Sequence, residues 1–231
     1  MSKDTTTTSI SANSLPGAWL AIAASVAVLL SLASLHILSP AFDPAWRMVS
    51  EYANGQYGWV LSLMFAFWAV SHWALAFAIW SQVKTIGGKI GLGFLIVAGI
   101  GEAMAAVFDI NHPLHGLAGM FGIPSLPIAA MLTSVSLGRT QAWSAAKKAL
   151  LWTANLTWIS VLLLVVSFVI LIVTFTQSGA PIPAEAPTTL PPGVIAFVGW
   201  ANRLLIVVYC VWVMTVARQA VRVRGQNYGS V

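Results

Sequence analysis

Long apolar runs alternate with short polar connections along the whole chain: Gly17–Leu38, Tyr57–Ser81, Ile90–Phe108, Gly116–Leu137, Ala149–Phe175 and Val194–Ala217. Each approaches or exceeds the roughly 20 residues that a helix needs to cross a hydrocarbon core. No water is available there, so a spanning backbone must satisfy its own polar groups. The pattern predicts an all-α, polytopic integral membrane protein built as a six-transmembrane-helix bundle. Residues 17–217 form its one domain, flanked by a flexible tail over 1–16 and a basic tail over 218–231. The spans and their connections leave no room for a separate soluble domain.

Composition agrees. The chain has 231 residues, 58% of them hydrophobic and only 7% charged, where a soluble domain carries about 25% charged residues. The few basic residues fall on every second connection. Lys84 and Lys89 lie on the second, Arg139, Lys147 and Lys148 on the fourth, and Arg218, Arg222 and Arg224 follow the sixth span. The first connection has only Arg47, beside Asp43 and Glu51; the third and fifth have no Lys or Arg. By the positive-inside rule both termini are expected to be cytoplasmic. That bias accounts for most of the +5 net charge, and anionic lipid headgroups are the natural partners of the basic ends. Nucleic acid is not expected as a partner, because the basic tail is too short and lacks interleaved aromatics.

The start Met1–Pro16 is polar, and the first apolar run is long enough to be retained as a span rather than removed as a signal peptide. The single cysteine, Cys210, lies within the sixth span and reads as a small packing residue. Trp19, Trp46, Trp59, Trp80, Trp143, Trp152 and Trp200 sit near span ends, where an amphipathic ring prefers the interface. Gly87, Gly88, Gly91 and Gly93, and then Gly116, Gly119 and Gly122, suggest close helix packing. Pro124 and Pro127 are expected to kink the fourth helix near its outer end. The Pro-rich fifth connection, Gln177–Gly193, carries Glu185 and reads as an extended external loop.

Two charges fall inside spans, where they are costly and usually face the bundle interior. Glu102 precedes Asp109 by seven residues on the same helix face, and Arg203 lies within the sixth span. Their depths overlap, so a Glu102–Arg203 ion pair is expected, with Asn202 or Asp109 nearby. Such a pair locks two helices, or serves catalysis or transport. His72 reads as a neutral, hydrogen-bonded histidine of the second helix, and His36 as an outlying member of the external cluster.

The outer connections collect the versatile side chains. Asp109, His112 and His115 fall within seven residues around Pro113. Carboxylate and imidazole suit zinc or general acid–base work, so this trio is the metal candidate. With Glu102 it also makes up the catalytic candidates. A turn at Pro113 is not the helical spacing of known metal motifs, and Asp109 also suits helix capping. The ligand-binding candidates are Asp43, Arg47, Glu51, Tyr52, Asp109, His115 and Arg203, expected to converge on one polar pocket at the outer mouth of the bundle.

The stretch Ser39-Pro40-Ala41-Phe42-Asp43-Pro44 and the block Ser50-Glu51-Tyr52-Ala53-Asn54-Gly55-Gln56-Tyr57-Gly58-Trp59 resemble the bacterial membrane family DUF 998. The resemblance extends to Asp109 after the third helix, to His115-Gly116-Leu117 opening the fourth, and to Arg203 in the sixth. It covers essentially the whole chain and implies a six-helix protein of the bacterial inner membrane. The Asp-to-His connection is shorter here than the family's usual form. The layout is also similar to Frag1/DRAM/Sfk-type membrane proteins, which implies an association with lipid organisation.

Three function classes follow. The first is a non-catalytic lipid-binding or lipid-organising module, or an accessory subunit of a larger membrane complex. The second is an intramembrane hydrolase or lipid-modifying enzyme, with zinc at Asp109, His112 and His115. The third is a small transporter relaying charge through Glu102 and Arg203.

Overall fold

The computed structural model describes residues 14–181 and 189–228, with side chains over 15–181 and 189–224. The expected tail before Ser14 and Glu185 of the fifth connection lie outside the described residues. Among the described residues all regular structure is helical: α1 (Ser14–Leu38), α2 (Gly58–Ile79), α3 (Ile86–Val107), α4 (His115–Leu137), α5 (Lys147–Gln177) and α6 (Val198–Tyr228). Two short 3-10 helices, Val49–Asn54 and Gln141–Ala146, lie in the first and fourth connections. All six long helices have the length and composition to cross a membrane. The chain is a multi-pass membrane protein.

Helix starts shift from the hydropathy boundaries for local reasons. α3 begins at Ile86 because Thr85 is its N-cap, its hydroxyl accepting the backbone N–H of Gly88 at 3.0 Å. α6 starts at Val198, four residues later than its apolar run, and continues through Arg218, Arg222 and Arg224 to Tyr228. Sequential helices are neighbours, and α6 packs back on α1 to close a ring. α2 is the most enclosed span and α5 the least.

The tightest pairing, α3 with α4, rests on absent side chains. A Cβ on Gly101 would collide with the backbone of Gly122 and Ala118. One on Gly91 would press on Leu132 and Thr133, and one on Gly88 on Ser136. Backbones this close gain dispersion contacts that lipid tails do not supply. Gly87, Gly93, Gly116 and Gly119 have open space where a Cβ would stand, so close packing explains only Gly88, Gly91 and Gly122 of the two clusters.

α4 runs unbroken through Pro124 and Pro127. Pro127 has no N–H, which leaves the carbonyl of Ile123 without its helical donor. The Tyr209 hydroxyl of α6 donates to that carbonyl at 2.6 Å. A side chain from a neighbouring helix thus repairs the backbone at a depth where water cannot.

Trp19, Trp59, Trp80, Trp152 and Trp200 are exposed, as interface anchors should be, but Trp143 is buried. Its indole N–H donates to Gln82 Oε1 at 3.0 Å, pinning the fourth connection to the second. Position near a span end could not separate a ring facing lipid from one folded under a loop.

A capped cavity at one end of the bundle

The first connection folds over the bundle end against α2 and α6. Its Val49–Asn54 helix opens with Glu51, whose Oε1 accepts the N–H of Met48 at 2.7 Å while Oε2 pairs with Arg47 Nη1 at 2.6 Å. The Arg47 guanidinium lies 4.4 Å from the Trp46 ring centroid. From below, Asn202 Oδ1 accepts the N–H of Val49 at 3.0 Å. The side chain of a spanning helix therefore terminates the loop helix, which ties the cap to α6.

Arg203 is the stronger tie. Its Nη1 donates to the carbonyls of Arg47 at 2.7 Å and Gly199 at 2.9 Å. Its Nη2 donates to the Tyr52 hydroxyl at 3.0 Å, and its Nε to His36 Nε2 at 3.1 Å. The guanidinium also lies 5.5 Å from the Tyr52 ring centroid. Arg203 and Tyr52 are both buried. Only a planar fork of N–H donors reaches three directions at once, which a lysine ammonium on a flexible stem would not reproduce. Gly199 makes this approach possible: a Cβ there would collide with the carbonyls of Pro44 and Arg47. His36 belongs to the cage as a direct acceptor, and its ring stacks at 15° on Trp200.

The expected Glu102–Arg203 ion pair is not formed. Arg203 spends its donors on carbonyls, Tyr52 and His36, on the side of the bundle where α1, α6 and the cap meet. Glu102 lies on the α3–α4 side, its Oε1 against the bare backbone of Gly122. It is 5% exposed and has no ion pair or hydrogen bond among the described residues. Equal depth along two helices did not mean facing positions around the ring.

Glu102 instead borders a cavity of about 90 Å³ beneath the cap. Met48, Val49 and Ser50 roof it; Phe65 and Trp68 come from α2, Gly119 and His115 from α4, and Asn202 from α6. The Trp68 indole N–H is buried and has no partner. His115 Nδ1 lies 2.8 Å from the Phe108 carbonyl, which only accepts, so Nδ1 carries the proton and Nε2 is left as an acceptor. One turn deeper, His72 is fully buried beside Trp68, and neither of its ring nitrogens has a partner. The hydrogen-bonded histidine expected there is absent.

The metal trio does not assemble: no group of three His, Cys, Asp or Glu among the described residues is placed to hold an ion. Asp109 Oδ1 accepts the N–H of Asn111 at 2.9 Å, His112 Nδ1 accepts that of Leu114 at 3.2 Å, and His115 bonds to Phe108. Asp109 and His112 each cap their own turn and His115 reaches back to the end of α3, so the three do not converge on one ion. Asp43 likewise accepts from Ala45 at 2.9 Å. The ligand-binding candidates consequently divide. Arg203, Tyr52, Arg47 and Glu51 build the cap, His115 borders the cavity, and Asp43 and Asp109 are exposed turn residues. The two connections do touch, through Asn111 Nδ2 donating to Asn54 Oδ1 at 2.8 Å.

Trp68, Phe65 and Gly119 carried no site signal in the sequence, because aromatics and glycines are ordinary in a membrane helix. The chain matches the family described as "Protein of unknown function (DUF998)" over residues 22–219. It belongs to the DUF998 family. The match takes in the cap, the cavity and all but the ends of α1 and α6. No curated protein and no solved structure matches the chain, and the layout similarity to Frag1/DRAM/Sfk-type proteins gains no support from these comparisons.

Proposed function

We propose that this DUF998 protein is a non-catalytic, amphiphile-binding module of the bacterial inner membrane, with both termini cytoplasmic and the capped end facing outward. The observation that carries the reading is the cavity itself. A buried, unpartnered Glu102 carboxyl group and the Trp68 ring border a space otherwise lined mainly by apolar side chains, under a loop tied down by Arg203. Sites for small molecules combine apolar walls with a few convergent polar groups in this way, but usually enclose about 300 Å³ or more. A volume of about 90 Å³ suits only the polar end of an amphiphile, its chain lying between the helices and the surrounding lipid.

Gly119 provides a direct test. It borders the cavity, and a Cβ there meets nothing within 4 Å. Gly119→Leu is expected to fold normally and to occupy the space. Native mass spectrometry of protein extracted with its lipids should show a bound amphiphile on the wild type and none on the variant; equal occupancy would remove the reading. Orientation is tested separately by cysteine labelling. Cys210 is buried, so a cysteine placed at exposed Asp43 should react from outside, and one at exposed Ser144 only after permeabilisation.

A further inference from the structure

The charge balance of the cavity narrows the chemistry of its ligand. The two buried arginines at the cap bond elsewhere: Arg47 pairs with Glu51, and Arg203 donates to backbone carbonyls, the Tyr52 hydroxyl and the His36 imidazole. No Lys or Arg borders the cavity. Glu102 is therefore a buried acid without a cationic neighbour, and an isolated carboxylate in a medium of low polarity is strongly disfavoured until a positive charge joins it. Phe65 and Trp68 line the same cavity, their rings 17° from parallel with centroids 6.3 Å apart. Such faces attract cations, most of all where water is excluded. His115 also lines the cavity, and with Nδ1 donating to Phe108 its neutral ring has Nε2 as an acceptor.

Resting on the reading of this space as a head-group site, we infer that it receives the ammonium end of a cationic amphiphile. Glu102 is the counter-charge, Phe65 and Trp68 form the wall, and His115 is a second acceptor. An anionic head would meet the Glu102 carboxylate with no compensating cation. An uncharged one would meet only the neutral carboxyl group and gain no charge-assisted contact. The volume admits the nitrogen and its nearest carbons.

Glu102→Gln keeps the shape of the side chain and removes its charge. Binding of dodecylamine and of dodecanol to the full chain in uncharged micelles, read by native mass spectrometry, separates the alternatives. Wild type is expected to prefer the amine. Glu102→Gln should weaken amine binding by about tenfold or more, as loss of a charge-assisted contact requires, and leave dodecanol unchanged. Gly119→Leu should lose both. Unchanged amine affinity in Glu102→Gln, alongside loss of both ligands in Gly119→Leu, overturns the charge assignment and leaves the head-group site standing. Retention of both ligands by Gly119→Leu overturns the site itself. Methylammonium, which has no chain, identifies the source: Glu102-dependent binding of this ion supports a free amine, and Glu102-dependent binding of dodecylamine alone supports a membrane-anchored one. A thermal melt by circular dichroism confirms that each variant is folded.

Discussion

Arg203 and Glu102 stand within the same bundle, both almost entirely out of contact with solvent, and they are provided for in opposite ways. Around Arg203, where α1, α6 and the first connection meet, the chain spends two carbonyls, a tyrosine and a histidine on one guanidinium. Around Glu102, where α2, α3, α4 and α6 border one cavity, it places glycines and mostly apolar side chains and supplies no bonding partner among the described residues. A buried cation surrounded by fixed acceptors holds structure together. A buried acid left beside a cavity is available to something that arrives. The difference separates a scaffold from a site more clearly than residue type or depth does.

The contrast is broken most severely on the Arg203 side. Arg203→Met should leave the Arg47 carbonyl and His36 Nε2 without their side-chain donor and remove the contact to the buried Tyr52 hydroxyl. The expected cost is about 3–5 kcal/mol, the range for removing one partner from a buried charged network. Arg203→Lys should recover little of it, since one ammonium does not reach three directions. Unfolding in mixed micelles by detergent titration measures both; a loss below about 1 kcal/mol, the scale of a single ordinary hydrogen bond, would show that the cage is not a scaffold.

A smaller effect is expected midway between the two regions, where Tyr209 repairs the helix opened by Pro127. Tyr209→Phe leaves the Ile123 carbonyl unpaired and should cost roughly 0.6–2 kcal/mol, the span of measured interhelical hydrogen bonds in membranes. The double variant Tyr209→Phe with Pro127→Ala restores a backbone donor and should regain most of that loss. A double-mutant cycle reads the coupling, and strictly additive losses would contradict the repair.

The smallest change belongs to Glu102. Glu102→Gln removes a buried charge that no partner stabilises, so stability of the ligand-free protein should stay within about 1 kcal/mol of wild type or rise. The same titration applies. A loss as large as that of Arg203→Met would mean that Glu102 is a structural member of the bundle, and the contrast would collapse.

Much of the arrangement was legible beforehand, and the reason is solvent. Hydrocarbon imposes length and apolarity on each span, so six helices and their order follow from hydropathy alone, and TM boundaries shift by only a few residues at caps such as Thr85. Polar residues inside spans are expensive, which singled out Glu102 and Arg203. Asn202 was visible too, though as a neighbour of the expected ion pair rather than as the residue that holds Val49.

What the sequence determined by itself is the class of protein, its helices, the family block at Ser50–Trp59 and the shortlist of costly side chains. The tertiary structure decided how those side chains are distributed. Asp109, His112 and His115 are close in sequence yet do not converge, because each is engaged by a different backbone group. Glu102 and Arg203 share a depth but not a side of the ring. Trp143 lies under a loop, and Trp68 lies on a cavity. Spacing along a helix sets depth and face within that one helix. Which face meets which neighbour depends on rotation and close approach, and these are set by glycines and small residues on the other helices.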